Sequence, residues 1–268
     1  MDDVTAPHPL DGSFRGLLPR RRAEVAPDGP LDPAPPAPDP DAGPDRPDLL
    51  TRALARRAAE GFTGTLVLEG PQSGTITLAE GRVVAASSPA APGPESLILR
   101  SGRIPEQEWS EAYAAAAPDG RLAAELVRRG LLGATGVEVL TRTALADAVF
   151  AIALCGVRSC AAEPAGARTP PLLPAEPGVE AGPLLRDVAR RLATAERWAG
   201  AGLGLTTRPR RADDAPPGPV GPVRRQILDR VDGRRNARDI AFTLGRGLYA
   251  VLADLADLAR DGRIVVPR

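Results

Sequence analysis

"TGTLVLEGPQSGTITLAEGRVVAASS", residues Thr63–Ser88, decides the fold class. Thr65, Val67 and Glu69 alternate with Leu66 and Leu68. "GPQSG" then turns the chain, Ile76 and Leu78 alternate with Thr75 and Thr77, and "EGR" makes a second tight turn before Val83 and Val84. Alternation with a period of two places successive side chains on opposite faces of a half-buried strand, and short glycine-bearing loops reverse it. The stretch predicts a three-stranded antiparallel meander.

Its flanks read as helices. In "DLLTRALARRAAEGF", Asp48 is placed to cap, and Leu49, Leu50, Leu54 and Ala58 recur at helical spacing. Downstream come "PESLILRSG", "PEQEWSEAYAAAA", "GRLAAELVRRG" and "TGVEVLTRTALADAVFAIALC", each punctuated by Gly or Pro. Pro105 suits a first helical turn, with Glu106 and Glu108 beside the positive end of the dipole. Gly130 after Arg128 and Arg129 reads as a helix stop, and Thr135 with Glu138 has capping-box spacing. The predicted class is α+β: a small meander with helices, followed by a mostly helical C-terminal module.

Composition narrows the function classes. Hydrophobic residues make up 43% of the 268 but aromatics only 3%, so the cores are built from Leu, Val, Ala and Ile. All 34 basic residues are arginine and 34 acids balance them. Arginine without lysine, beside abundant Ala, Gly, Pro and Asp, fits a GC-rich genome and is discounted as a nucleic-acid signal. Residues 222–268 are the most basic stretch, with ten arginines against six acids. No apolar run reaches the ~20 residues that span a bilayer, no signal peptide is visible, and Cys155 and Cys160 do not suggest a disulfide scaffold. The expected location is cytoplasmic.

Proline sets the expected boundaries. Residues 1–47 read as a disordered Pro/Asp-rich tail, 48–163 as the α+β domain, 164–182 as a linker, 183–199 as a connector helix, 200–221 as a second linker and 222–268 as the C-terminal module.

The run "GFTGTLVLEG…GTITLAEGRVVAASS…GPESLILRSGRIPEQEW…LAAELVRRGLL…LTRTALADAVFAIAL" resembles the PATAN family of bacterial signalling proteins over roughly residues 48–160. The matching marks are the "TGTL" strand entry, the "EGRVVAA" turn and strand, and the helix ends. The resemblance implies a regulatory domain that mediates protein contacts. It brings no catalytic motif to carry over.

In the connector "PLLRDVARRLATAERWA", Leu184, Leu185, Val188 and Leu192 share one stripe with Ala195, and the arginines are expected to face away. The stripe packs on the first domain or serves as a partner or dimer face. Residues 222–268 resemble a winged helix. "VRRQILDRVDG" gives a first helix stopped by Gly233, "NARDIAFTLG" a second capped by Asn236 and closed by Gly245, and "GLYAVLADLADLARDG" a third, with "RIVV" opening a wing whose second strand is missing or supplied elsewhere.

Such a third helix would enter a major groove. Leu248, Val251, Leu252, Leu255 and Leu258 face the core, leaving Tyr249, Ala250, Ala253, Asp254, Ala256, Asp257, Arg260 and Asp261 outside. Base reading favours Arg, Lys, Asn or Gln there, and unpaired aspartates repel phosphate. Arg234, Arg235, Arg238, Arg246 and Arg263 sit at the corners and wing as candidate phosphate or partner contacts.

Catalytic chemistry has little to stand on. The single histidine is His8, in the expected tail, and the absence of lysine removes Walker-loop and Schiff-base chemistry. Cys155 and Cys160 do not have metal-knuckle spacing and read as a core and a helix-end cysteine. "GAGLGL", residues 200–205, reads as linker rather than a dinucleotide loop. Trp109 and Trp198 read as core anchors. The sequence therefore points to a non-enzymatic regulatory protein without cofactor, metal or evident small-molecule ligand. Its expected partner is another signalling protein or a second copy of itself. A DNA-binding transcription regulator is the rival reading, and no membrane partner is expected.

Overall fold

The computed structural model describes residues 48–267. The first helix, α1 (Leu49–Ala59), begins where Asp48 Oδ1 accepts the Thr51 amide at 2.7 Å. Strands β1 (Gly64–Glu69), β2 (Gly74–Ala79) and β3 (Arg82–Ser87) follow as the meander. Thr65 pairs with Thr77, Leu66 with Ile76, and Thr75 with Ser87. Four helices come next: α2 (Pro94–Arg100), α3 (Glu106–Ala116), α4 (Leu122–Arg128) and the long α5 (Ala134–Cys155).

Two helix starts differ from the sequence reading. Pro105 is the N-cap of α3 rather than a first-turn residue, although Glu106 and Glu108 do occupy the first turn. Helix α5 starts at Ala134 after Gly133, so Thr135 lies inside the helix and caps nothing.

A fourth strand, β4 (Ser159–Pro164), was not expected. It pairs antiparallel with β1, giving the order β3-β2-β1-β4 and placing Cys160 on a strand. The fold is α+β in class, and its sheet has one apolar face. Leu66, Leu68, Ile76, Leu78 and Val83 pack against Leu50 and Leu54 of α1 and Leu145, Val149 and Ile152 of α5. Burying such branched side chains contributes roughly 1.5–3 kcal/mol each.

The expected linkers are packed. Ala175 and Val179 donate amide hydrogen bonds to Val84 and Val83, at 2.7 and 2.8 Å, and Leu173 is buried with Ile98, Trp109 and Leu126. The proline-rich chain satisfies its backbone against the β3 edge instead of water. Helix α6 (Ala181–Gly200) then crosses α1 and α5.

Strand β5 (Arg210–Arg211), also in an expected linker, pairs antiparallel with β6 (Ile264–Val265), so the partner of this last strand comes from ahead of the three helices. Between them lie α7 (Pro222–Leu228), α8 (Ala237–Leu244) and α9 (Leu248–Arg260). Helix α7 ends short of the Gly233 stop. In α8, Asn236 and Asp239 form a reciprocal capping box and Gly245 ends the helix in the left-handed region, φ 58°.

The C-terminal module is not a separate body. Phe150 and Ala151 of α5, and Ala90 and Ala91 after β3, share a core with Ile227, Ile240, Leu248, Val251, Leu252 and Leu255. All described residues belong to one compact unit, which corrects the expectation of two domains joined by free linkers. The residues read as an N-terminal tail lie outside the described ones.

Candidate functional site

Helix α9, the expected groove-entering helix, is docked against the rest of the chain. Tyr249 is not on a free outer face. Its ring lies 5.3 Å from Phe150, edge to face, and 5.4 Å from Trp198. The guanidinium of Arg191 stacks over the same ring at 4.9 Å. Arg191 therefore turns inward, unlike the other connector arginines that the periodicity sends to solvent. Its Nη1 donates to Asp147 Oδ1 at 2.7 Å and its Nε lies 2.7 Å from Asp187 Oδ2.

Asp147 is the charge that interrupts the apolar run of α5. Its side chain is 3% exposed. Oδ2 faces the Leu248 and Tyr249 amides at the positive end of α9 without closing a hydrogen bond of normal geometry. Burial pushes its pKa up, against the opposing pull of Arg191 and those amides. A Cβ on Gly247 would lie 2.6 Å from Oδ2, so glycine is what lets α9 approach this closely.

The acids on α9 are not unpaired either. Arg224 of α7 reaches Asp254 at 3.3 Å, Asp257, and Asp261 at 3.7 Å. Arg260 pairs with Asp257. Only Ala250 and Arg260 of this helix are exposed. A surface read as free and repulsive is half-buried and internally neutralised.

The candidate arginines separate. Arg246 sits 3.2 Å from Asp254 Oδ2. Arg235 pairs with Asp232 at 2.9 Å. Arg238 donates to the Pro89 carbonyl at 2.8 Å and lies over Phe242, and Arg263 donates to the Gly218 carbonyl at 3.2 Å. Of the five, only Arg234 has an exposed side chain with no anion or acceptor among the described residues. The expected cluster is thus not a single basic face.

The connector stripe is likewise occupied. Leu184 and Val188 are buried, and Leu185 and Leu192 half-buried, against the sheet-side core. Packing, not a free partner face, is its use in this chain.

Two features escaped the sequence reading. One is a second set of exposed arginines, Arg208, Arg210, Arg225 and Arg230, without ion-pair partners among the described residues. The other is a cavity of about 670 Å³ lined by Thr65, Thr75, Thr77, Ser87, Thr141 and the Thr169–Leu173 segment. Thr65 and Thr77 hydroxyls meet across strands at 3.3 Å on its wall. The strand alternation placed these hydroxyls on one face, but the roof comes from a stretch read as linker.

Cys155 and Cys160 are both free and half-buried, and burial pushes both thiols up, away from the thiolate. Among the described residues no group of His, Cys, Asp or Glu is placed to share a metal ion, and no helix is long and apolar enough to cross a membrane. Comparison with protein-family models, with curated proteins and with solved structures finds no match.

Proposed function

We propose that this is a non-enzymatic bacterial regulatory protein, cytoplasmic, acting through protein–protein contacts, with a PATAN-like N-terminal half and a winged-helix-like module used for assembly. The observation that carries the reading is the docked state of α9. Tyr249 is held by Phe150, Trp198 and Arg191, and Asp254 and Asp257 are held by Arg224. A helix in that state offers base edges only Arg260 at its far end, itself paired with Asp257. The fold alone does not decide this, because the same shape serves many functions. The partner is another signalling protein or a second copy of the chain.

One observation favours the rival reading, a DNA-binding transcription regulator: Arg225, Arg230 and Arg234 of the C-terminal module are exposed without ion-pair partners among the described residues. Fluorescence anisotropy of the full chain on DNA from upstream of its own gene and on a scrambled duplex, at low and physiological salt, separates the two. The expected result is no preference between the duplexes. Salt-sensitive preference for the upstream DNA overturns the protein-contact reading. In-cell cross-linking of a tagged chain, read by mass spectrometry, is expected to give a reproducible protein adduct, and light scattering tells a homodimer from a foreign partner.

A further inference from the structure

We propose that Arg208, Arg210, Arg230 and Arg234 form a docking ridge for an acidic peptide segment of a partner protein. The inference rests on the protein-contact reading above and names its surface.

The ridge is built by the backbone. The Gly233 amide donates to the Pro209 carbonyl at 2.9 Å, pinning the segment that carries Arg208 and leads into β5 with Arg210 to the α7–α8 turn. A Cβ at Gly233 would lie 3.6 Å from the Arg210 Cβ, so Arg210 sits against the turn that continues into Arg234. Arg230 comes from the same turn, just after the end of α7.

The local acids are already taken. Arg211 donates to the Leu228 carbonyl at 3.0 Å and to Asp229 at 2.8 Å. Asp232 Oδ1 accepts the Arg234 and Arg235 amides at 2.9 and 3.0 Å, and its Oδ2 accepts from the Arg235 side chain at 2.9 Å. These amides, with the Arg234 and Arg235 charges, hold the Asp232 carboxyl below its usual range, so it stays ionised and neutralises Arg235. Arg208, Arg210, Arg230 and Arg234 are left exposed with no side-chain ion pair among the described residues. The nearest other acids on that strand segment, Asp213 and Asp214, lie beyond Arg211.

Guanidinium groups recognise carboxylates through paired N–H donors, and a short row of them suits a short row of Asp or Glu. A duplex fits less well. It calls for an element that enters a groove or for a long positive track, and α9 is docked with its acids turned to Arg224.

The test uses the full chain and a fluorescein-labelled peptide of alternating Glu and Gly. A Lys–Gly peptide and a scrambled DNA duplex are the comparators. The ridge variant carries R208A, R210A, R230A and R234A, and the control carries R52A, R100A, R103A and R186A, which are exposed and lie elsewhere. Matching thermal melts establish that both fold.

At low salt the Glu–Gly peptide should bind wild type and control alike and bind the ridge variant about tenfold more weakly. No binding by wild type, or equal loss in the control, overturns the proposal. If the ridge fails this way while in-cell cross-linking still yields a protein adduct, the surface assignment is wrong and the protein-contact reading survives. Ridge-dependent binding that is tighter to the duplex than to the peptide, with a preference for upstream DNA, overturns both.

Discussion

Arg191 Nη1 lies 2.7 Å from Asp147 Oδ1, joining α6 to the middle of α5 across 44 positions of sequence. The pair also sits at the amino end of α9, where Arg191 covers the ring of Tyr249. Three helices from both halves of the chain therefore meet at one buried carboxylate.

Removing that carboxylate should be expensive. Breaking a buried ion pair leaves the partner charge desolvated and typically costs about 3–5 kcal/mol. Arg191 retains Asp187, so Asp147→Ala should fall near the low end, about 3 kcal/mol. Asp147→Asn keeps the shape and removes a charge that burial disfavours, and should cost about 1 kcal/mol. Urea denaturation of both variants checks the order. Equal costs would mean that loss of the charge, common to both variants, sets the penalty and that the amide shape kept in Asp147→Asn contributes nothing.

The same carboxyl sets a pH signature. Its pKa is raised in the folded state, so between the ordinary value of about 3.9 and the raised one the native state holds a proton that the unfolded state has lost. Stability from this group is fully present below that window and is lost as pH rises through it. Wild type should therefore gain on Asp147→Asn as pH falls toward 4. Glu125 behaves oppositely: hydrogen bonds from Arg128 and Arg129 draw its pKa down to about 2, and its contribution is lost as pH falls toward that value. Glu125→Gln should flatten only the acid end. If wild type loses ground to Asp147→Asn on acidification, the Arg191 pairing outweighs burial.

The sequence made the meander legible because alternation and turn residues agree from Thr65 to Val84, and it made the α8 caps legible because Asn236, Asp239 and Gly245 are local chemistry. Strand β4 was hidden. "SCAAEP" has little strand propensity and a proline, and it is a strand because β1 offers an edge to pair with. The candidate site failed in the same manner. Residue type at Arg238 and Arg246 was visible, but their partners, Pro89 and Asp254, are set by tertiary packing. Asp147 was visible as a flaw in an apolar run, while the arginine that answers it lies on another helix.

Gly247 should be coupled to Asp147. Its φ of −59° and ψ of 138° suit any residue, so only the approach of Oδ2 at 2.6 Å opposes a methyl group there. Gly247→Ala should cost about 1–3 kcal/mol, as overpacking does. In the Asp147→Ala background most of that cost should vanish, giving a coupling energy of about 1 kcal/mol or more. Additive costs in this double-mutant cycle would mean that the amino end of α9 does not press on the carboxylate.

Gly245 and Gly130 offer a matched comparison for the tightness of the docked module. Both have positive φ, 58° and 71°. Alanine in that region costs about 1 kcal/mol from backbone conformation alone. Nothing lies within 4 Å of a Cβ on Gly130, so Gly130→Ala should cost about that much. A Cβ on Gly245 would meet the Ser101 amide nitrogen at 2.5 Å and the Arg100 carbonyl carbon at 2.7 Å, both backbone atoms at the end of α2. Backbone cannot swing aside as a flexible side chain does, so Gly245→Ala should cost about 3 kcal/mol or more. It should also speed amide exchange in α2 and α8 together, because separating them is the way to relieve the clash. Equal costs for the two substitutions, with exchange in α2 unchanged, would show that the C-terminal module rests on the first half more loosely than these distances require.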